Sequence, residues 1–374
     1  MKTTRPGTVA AATLVASATA GAAGPARSDS AGSGRSGAAG SGRSGCAGEG
    51  RSGAADPVLS VDGLSVRFRL RDATVHAVSD LALTVHPGEL LAVVGESGCG
   101  KSVLAHTLLG LLPRNATVGG HARLHGPGGD QLDLVTCGER VLAGLVRGRR
   151  VGLVPQSPAT ALTPVRTGRR LIEETLRAHR HSRADAVAGA ERVAAQVGLD
   201  ATDLDRFPHE LSGGMAQRLV TALALAPDPT LLIADEPTSG LDRPLVEQTL
   251  DLLRRRCDSG KSVILITHDL AAAERVADTV AVMYASRVVE HRSAERFFTA
   301  PAHPYAAALL DALPDRAFRA VPGYPPMLTA LPEGCAFAAR CPYATDACRR
   351  QPPLAAYDAG AVACHHPLPA GVPS

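Results

Sequence analysis

Eight consecutive residues, Gly95-Glu96-Ser97-Gly98-Cys99-Gly100-Lys101-Ser102, satisfy the phosphate-binding pattern G-x-x-x-x-G-K-[ST] at each fixed position. The pattern tolerates few surroundings: a buried strand has to run into it and a helix has to leave it. Both are written in the flanks. Leu90-Leu91-Ala92-Val93-Val94 is a short apolar run suited to a buried strand, and Val103 to Leu109 reads as a helix. The glycines let successive N–H groups and the helix N-terminus turn toward phosphate oxygens. Lys101 is placed to meet the β- and γ-phosphates and Ser102 to ligate Mg²⁺, which spreads the charge of the triphosphate.

Downstream, two strand-like runs end in groups that suit the same substrate. Leu231-Leu232-Ile233-Ala234 leads into Asp235 and Glu236, and Val263-Ile264-Leu265-Ile266 leads into Thr267-His268. Asp235 suits the holding of Mg²⁺. Glu236, one residue on and pointing elsewhere, is free to take a proton from an attacking water. A histidine at the C-terminal end of a parallel strand sits where ligands bind in α/β folds, so His268 is expected at the γ-phosphate. Val151-Gly152-Leu153-Val154 reads as another strand and delivers Gln156, which is either a Mg²⁺ and water ligand or a polar loop residue. Leu211-Ser212-Gly213-Gly214 before an apolar helix forms a second anion cradle of a different design.

The rest of the chain frames these pieces. From Val58 to Val85 the apolar residues alternate, predicting antiparallel strands before the turn Pro87-Gly88-Glu89. Phe68 there either stacks on an adenine ring or faces the core. Residues 166–205 carry helical periodicity closed by Gly198, whereas Thr117 to Arg150, rich in Gly and Arg, carries little assignable signal. Residues 1–56 are dominated by Ala, Gly, Ser and Arg and are expected to be a disordered extension. The opening two dozen residues imitate a signal peptide, but the Ala-rich stretch is weakly apolar and broken by Thr and Ser.

Charge and composition exclude two classes. The net charge of +3 is matched by the extension alone, where Lys2 and five arginines face Asp29, Glu49 and Asp56, so the remainder is near neutral. With no tryptophan and no basic stripe with interleaved aromatics, nothing points to nucleic acid. No uncharged apolar run approaches the roughly 20 residues that span a bilayer. Any membrane role is then expected to come from a partner.

Taken together, Gly95–Ser102, Gln156, Leu211–Gly214, Leu231–Glu236, Ser239–Asp242 and His268 resemble, in order, the Walker A loop, Q-loop, signature, Walker B strand with its glutamate, D-loop and switch histidine of the ATP-binding cassette ATPases. The resemblance implies an α/β fold of the P-loop NTPase class: a RecA-like core with an antiparallel β subdomain and a helical signature subdomain. It covers roughly residues 58–300, so the cassette is placed at 57–300, with the helical subdomain at about 157–226. It also implies head-to-tail dimerisation, in which ATP lies between Walker A of one subunit and the signature of the other. By the family pattern Gly95, Ser97, Gly98, Cys99, Gly100, Lys101, Ser102, Val103 and Asp235 contact the nucleotide or its metal. Ser212, Gly213, Gly214 and Asp242 serve the partner's nucleotide, and Gln156, Glu236 and His268 are the catalytic set.

Finer features look like the oligopeptide/dipeptide importer branch. They are the Glu96-Ser97-Gly98 filling of the loop, Gln156-Ser157-Pro158, Met215 after the signature, and a tail at 301–374 with His303-Pro304-Tyr305, Arg340-Cys341-Pro342-Tyr343 and Ala363-Cys364-His365. Thr163 and Ala216 depart from the branch's usual Asn and Arg. The branch implies two transmembrane permease subunits, a second ATPase subunit and an extracytoplasmic solute-binding protein, with this chain peripheral at the cytoplasmic face. Half of the eight cysteines, Cys335, Cys341, Cys348 and Cys364, crowd into the tail with spacing C-x₅-C-x₆-C-x₁₅-C. The tight knuckle usual in structural zinc sites is missing, although four thiolates can still close a tetrahedron. Resemblance to branch members implies a [4Fe–4S] cluster ahead of zinc, and either ahead of free thiols. His365 and His366 are either substitute ligands or, as is commoner for such histidines, residues that support the ligands from behind or are merely exposed. Alternatives to the importer reading are a cassette ATPase of DNA repair or ribosome work and a regulatory partner that binds ATP with little turnover.

Overall fold

Residues 56–369 are described by the structure, a computed structural model. The low-complexity extension expected at 1–56 lies outside the described residues apart from Asp56.

Two sheets organise the chain. The larger holds eight strands in the order β11-β12-β10-β9-β3-β8-β7-β6. Here β3 is Leu90–Val94, β6 Val151–Val154, β7 Leu231–Asp235, β8 Ser262–Ile266, β9 Thr279–Tyr284, β10 Arg287–Ser293, β11 Ala355–Tyr357 and β12 Gly360–Val362. From β9 to β6 neighbouring strands are parallel, while β10, β12 and β11 extend the sheet antiparallel. Parallel strands are covered on both faces, so they are written as unbroken apolar runs. All five residues of β3, of β7 and of β8 are buried.

The smaller sheet, in the order β2-β1-β4-β5, is antiparallel and uses alternation instead. β1 (Leu59–Arg69) buries Leu59, Val61, Leu64 and Val66 against Val85, Leu83, Leu81 and Val78 of β2 (Thr74–Val85). From Val61 to Leu64 is three residues, which strict alternation would send to opposite faces. A register shift there returns Leu64 to the core. The antiparallel pair expected from Val58 to Val85 is therefore present. The unassigned region after it holds β4 (Ala116–His125) and β5 (Gln131–Asp133), with Ala122 and Leu124 on the buried face.

Helices fill the intervals: α1 (Lys101–Leu108), the short α2 (Glu139–Val141) and α3 (Pro158–Ala161), α4 (Gly168–Ala178), α5 (Arg183–Gln196), α6 (Gly213–Leu225), α7 (Arg243–Asp258), α8 (Leu270–Val276), α9 (Ala294–Thr299) and α10 (Pro304–Asp311). Thr167, Ser182, Ser212 and Asp242 cap α4 to α7, each accepting a hydrogen bond from the backbone three residues on. Ile172, Leu176, Ala190, Val193 and Leu219 bring α4, α5 and α6 into one core with β7 and β8. A further core joins Ala92 and Val94 of β3 and Val280 and Val282 of β9 to Phe297, Tyr305, Leu310 and Phe337. Residues beyond 300 thus pack directly on the strand that feeds the phosphate loop.

Candidate functional site

The order β3-β8-β7-β6 decides where the chemistry goes. These four strands are parallel, so their carboxyl ends share one edge, where an open α/β sheet binds ligands. β3 delivers Gly95, β8 delivers His268, β7 delivers Asp235 and Glu236, and β6 delivers Gln156. Residues scattered from 95 to 268 become neighbours along this edge through ladder pairing, with Val93 and Asp235 both opposite Ile266.

The phosphate loop is tightly enclosed. Gly95 has φ +146°, and a Cβ there would lie 2.1 Å from the Met283 carbonyl oxygen. Gly100, at φ +109°, would put a Cβ 2.1 Å from the Ala77 oxygen. Neither position accepts a side chain. α1 then begins at Lys101, whose buried ammonium donates to the Gly95 carbonyl at 2.7 Å and the Glu96 carbonyl at 3.1 Å. Ser97 and Gly98 are exposed and Ser102 and Val103 half-buried. Cys99 is buried, and burial pushes its thiol up against the opposing pull of Lys101. A thiol so placed is a packing residue, not an accessible target for oxidation.

Asp235 is buried, and one of its carboxylate oxygens, Oδ1, lacks a hydrogen-bond partner. Burial raises this carboxyl above the usual carboxylate range, and the Ser102 hydroxyl, His106 and Lys101 oppose the rise. A buried carboxylate oxygen left open beside a hydroxyl suits a hard cation, held directly or through water. Asp235 and Ser102 thus fit the Mg²⁺ role, with Gln156 exposed on the bend after β6. When bound, Mg²⁺ neutralises charge on the β- and γ-phosphates.

Glu236 turns away from Asp235 for a backbone reason. Its φ of +49° is in the left-handed region, which side chains other than glycine rarely adopt. Its N–H still donates to Ile266 at 2.9 Å, so the strand ladder holds the strained residue. The carboxylate lies 2.8 Å from Nδ1 of His268, whose side chain is 64% exposed. A buried carboxylate is thus paired with a histidine at the open side of the edge. Such a pair can accept a proton from water and orient the acceptor.

The signature residues sit apart. Ser212 caps α6, its hydroxyl accepting from Met215 N–H at 3.2 Å, and Ser212 and Gly213 are exposed. Among the described residues no hydrogen bond links Ser212, Gly213 or Gly214 to Gly95–Ser102. Asp242 is likewise exposed at the start of α7, its carboxylate accepting from Leu245 N–H at 3.1 Å. Phe68 is half-buried on β1, opposite Val75 and Ala116, and packs against the core of the smaller sheet.

Among the described residues no three His, Cys, Asp or Glu side chains are grouped so as to hold a metal. Cys335, Cys341, Cys348 and Cys364 are free thiols; burial, followed by smaller effects of neighbouring thiols, raises the pKa of Cys335, Cys341 and Cys364. The expected iron–sulfur cluster, and the zinc alternative, find no support in this arrangement. His365 and His366 instead bond to the Arg350 carbonyl and the Thr345 hydroxyl.

Sequence reasoning missed the outer wall of the loop. Glu96, Tyr284, Tyr305 and Arg340 form one connected group, although 244 positions separate Glu96 from Arg340. Only the family-like spelling of the loop and tail singled out three of the four.

A glycine loop, two strand-end carboxylates and a strand-end histidine on one parallel edge define a P-loop nucleoside triphosphatase. Comparison with known proteins sharpens the class. The ABC transporter family matches residues 78–239, and the oligopeptide/dipeptide transporter C-terminal region matches 289–348. The oligopeptide transport ATP-binding protein OppD of Salmonella typhimurium is 39% identical, covering 84% of this chain and 95% of its own length. OppD of Escherichia coli is 38% identical over 84% of this chain and 94% of its own. A Brucella melitensis chain is 41% identical over 80% of this one and 94% of its own. The chain belongs to the ABC transporter ATP-binding family, in the branch that carries the oligopeptide/dipeptide C-terminal region. Its enzymatic class is ATPase, and the family uses ATP and Mg²⁺. A solved dimeric cassette, MJ0796 in a post-hydrolysis state with ADP and Pi, shares the fold with TM-score 0.57 and 22% identity, covering 63% of this chain and 98% of its own. Among the described residues no helix is long and apolar enough to cross a membrane.

Proposed function

We propose that this chain is the ATP-hydrolysing subunit of an importer for oligopeptides, dipeptides or a related solute. The observation that carries the reading is the split between a complete sheet-edge constellation at Lys101, Asp235, Glu236 and His268 and a signature, Ser212–Gly214, that lies open on another element. One chain supplies two half-sites and needs a second cassette. ATP binding closes the pair and hydrolysis reopens it. Lys101 and the loop amides hold phosphate, Ser102, Gln156 and Asp235 hold Mg²⁺, Glu236 takes the proton of the attacking water, and His268 steadies the γ-phosphate. Ser212, Gly213, Gly214 and Asp242 complete the partner's site.

The peptide assignment draws on the names of the OppD relatives and on the matching tail. The same reading places the chain at the cytoplasmic face of two permease subunits, fed by an extracytoplasmic solute-binding protein. Glu236→Gln tests the chemistry: nucleotide binding is retained, while turnover falls by about a thousandfold, within the range for a lost general base. Unchanged hydrolysis removes Glu236 from that role. Co-purification with two permeases and a second ATPase tests the assembly, and recovery with ribosomes or DNA-repair factors instead overturns it. Iron and acid-labile sulfide on anaerobically prepared protein would establish a cluster on the tail cysteines.

A further inference from the structure

Glu96 fills the second position of the phosphate loop, and the tail grips it by main chain and side chain alike. Its N–H donates to the Tyr305 hydroxyl at 2.9 Å. Its carboxylate accepts from both terminal nitrogens of Arg340, each at 2.9 Å. Its carbonyl accepts from Lys101. One residue therefore joins a tail arginine to the phosphate-binding lysine.

Arg340 is built for this contact. Its side chain is 4% exposed, against 26% for Glu96. Nη1 also donates to the Tyr284 hydroxyl at 3.1 Å and Nε to the Pro322 carbonyl at 2.5 Å. The guanidinium lies 5.6 Å from the Tyr284 ring centre and 5.7 Å from that of Phe337. Bonded on three sides and flanked by two rings, the fork has one orientation. A bidentate pair passes that orientation to the carboxylate, which a lysine's single ammonium cannot do. Met283, whose carbonyl closes on Gly95, immediately precedes Tyr284, so the same wall braces two consecutive loop residues.

We propose that Arg340 is a positioning residue for nucleotide binding, fixing the first turn of the phosphate loop through Glu96. Residues outside the ATPase fold then set the affinity of the loop. Without Arg340 the Glu96 carboxylate turns toward water, and the N–H and carbonyl that hold Tyr305 and Lys101 turn with it. The inference rests on the reading that Gly95–Ser102 holds the phosphates of ATP.

The test uses the purified full chain, a fluorescent ATP analogue competed by ATP in the presence of Mg²⁺, and a thermal unfolding scan of each variant. R340M weakens ATP binding by about tenfold, the scale of coupling between contiguous groups. R340K recovers part of the loss, and the double variant E96Q/R340M binds no worse than E96Q alone, because both changes break one link. Wild-type affinity in a cooperatively unfolding R340M overturns the proposal, as does an additive double variant. If R340M fails to fold, R340K decides: weaker binding supports the proposal and wild-type affinity overturns it. Failure of the wild-type chain itself to bind ATP overturns the functional reading instead.

Discussion

The phosphate loop and the signature are both anion cradles at the start of a helix, yet they are built to opposite standards. Around Gly95–Ser102 two carbonyls press on the glycines, Lys101 is buried across the turn, and Glu96 is held from outside. Ser212 and Gly213 are exposed, and the only fixture of the serine hydroxyl among the described residues is the cap bond within its own helix. The first cradle is preorganised to meet a ligand alone. The second is open and, on the proposed reading, meets a ligand already bound to another cassette. On that reading one copy of each makes two half-sites, and the difference in enclosure suits the phosphate loop to bind first and the signature second.

Four experiments break or sharpen the contrast, from the largest effect to the smallest. Ser212→Arg is expected to leave ATP binding by the isolated chain unchanged while cutting turnover of the assembled cassette pair by about a hundredfold, as when a transition-state donor is lost. Loss of binding by the isolated chain would erase the distinction. Lys101→Ala does the reverse, weakening ATP binding by the isolated chain about fiftyfold through loss of charge-assisted hydrogen bonds to phosphate; titration calorimetry reads it.

A third experiment concerns the tail's hold on the loop. His303 is buried, its Nδ1 accepts from Tyr305 N–H at 3.0 Å, and burial lowers its pKa to about 3. The unfolded chain binds a proton there near pH 6.5 and the native chain does not, so stability is lost as pH falls from 6.5 toward 3. Between pH 7 and 5 the cost is about 2 kcal/mol. His303→Asn, which keeps a cap acceptor, should flatten that slope in denaturant titrations at the two pH values. Finally, Asp242→Ala removes the cap of α7 and lowers stability by about 1 kcal/mol. A loss confined to dimer turnover would instead mark Asp242 as serving the partner's site alone.

What the sequence made legible follows from range. The strand-loop-helix at 90–108 is local, and its apolar run, glycines and lysine are contiguous, so fold and role could be read together. β7 and β8 were equally plain, because fully buried parallel strands leave unbroken apolar text. β4 was not: its first half, Ala116-Thr117-Val118-Gly119-Gly120, lies mostly on an exposed surface, and only Ala122 and Leu124 carry the inward alternation. The left-handed φ of Glu236 has no compositional mark, since acidic residues at strand ends are common. Nor could spacing pair Arg340 with Glu96, a contact created by the packing of Tyr305 and Phe337 against β3 and β9. The four cysteines are crowded in sequence, yet among the described residues they form no group that would hold a metal, so spacing alone could not assign them a ligand.

The hairpin of β11 and β12 has a consequence outside catalysis. β12 pairs with β10 through Glu290 and His291, and Ala363 N–H continues the contact to Val289 at 2.8 Å. These few residues occupy the hydrogen-bonding row that β10 would otherwise present to solvent, and an open row of that kind recruits strands from other molecules. A chain cut after Leu354 would keep every ATP-handling residue and acquire an adhesive flank. The hairpin thus acts as a selvedge, a border that replaces the longer flank of β10 with a three-residue edge strand.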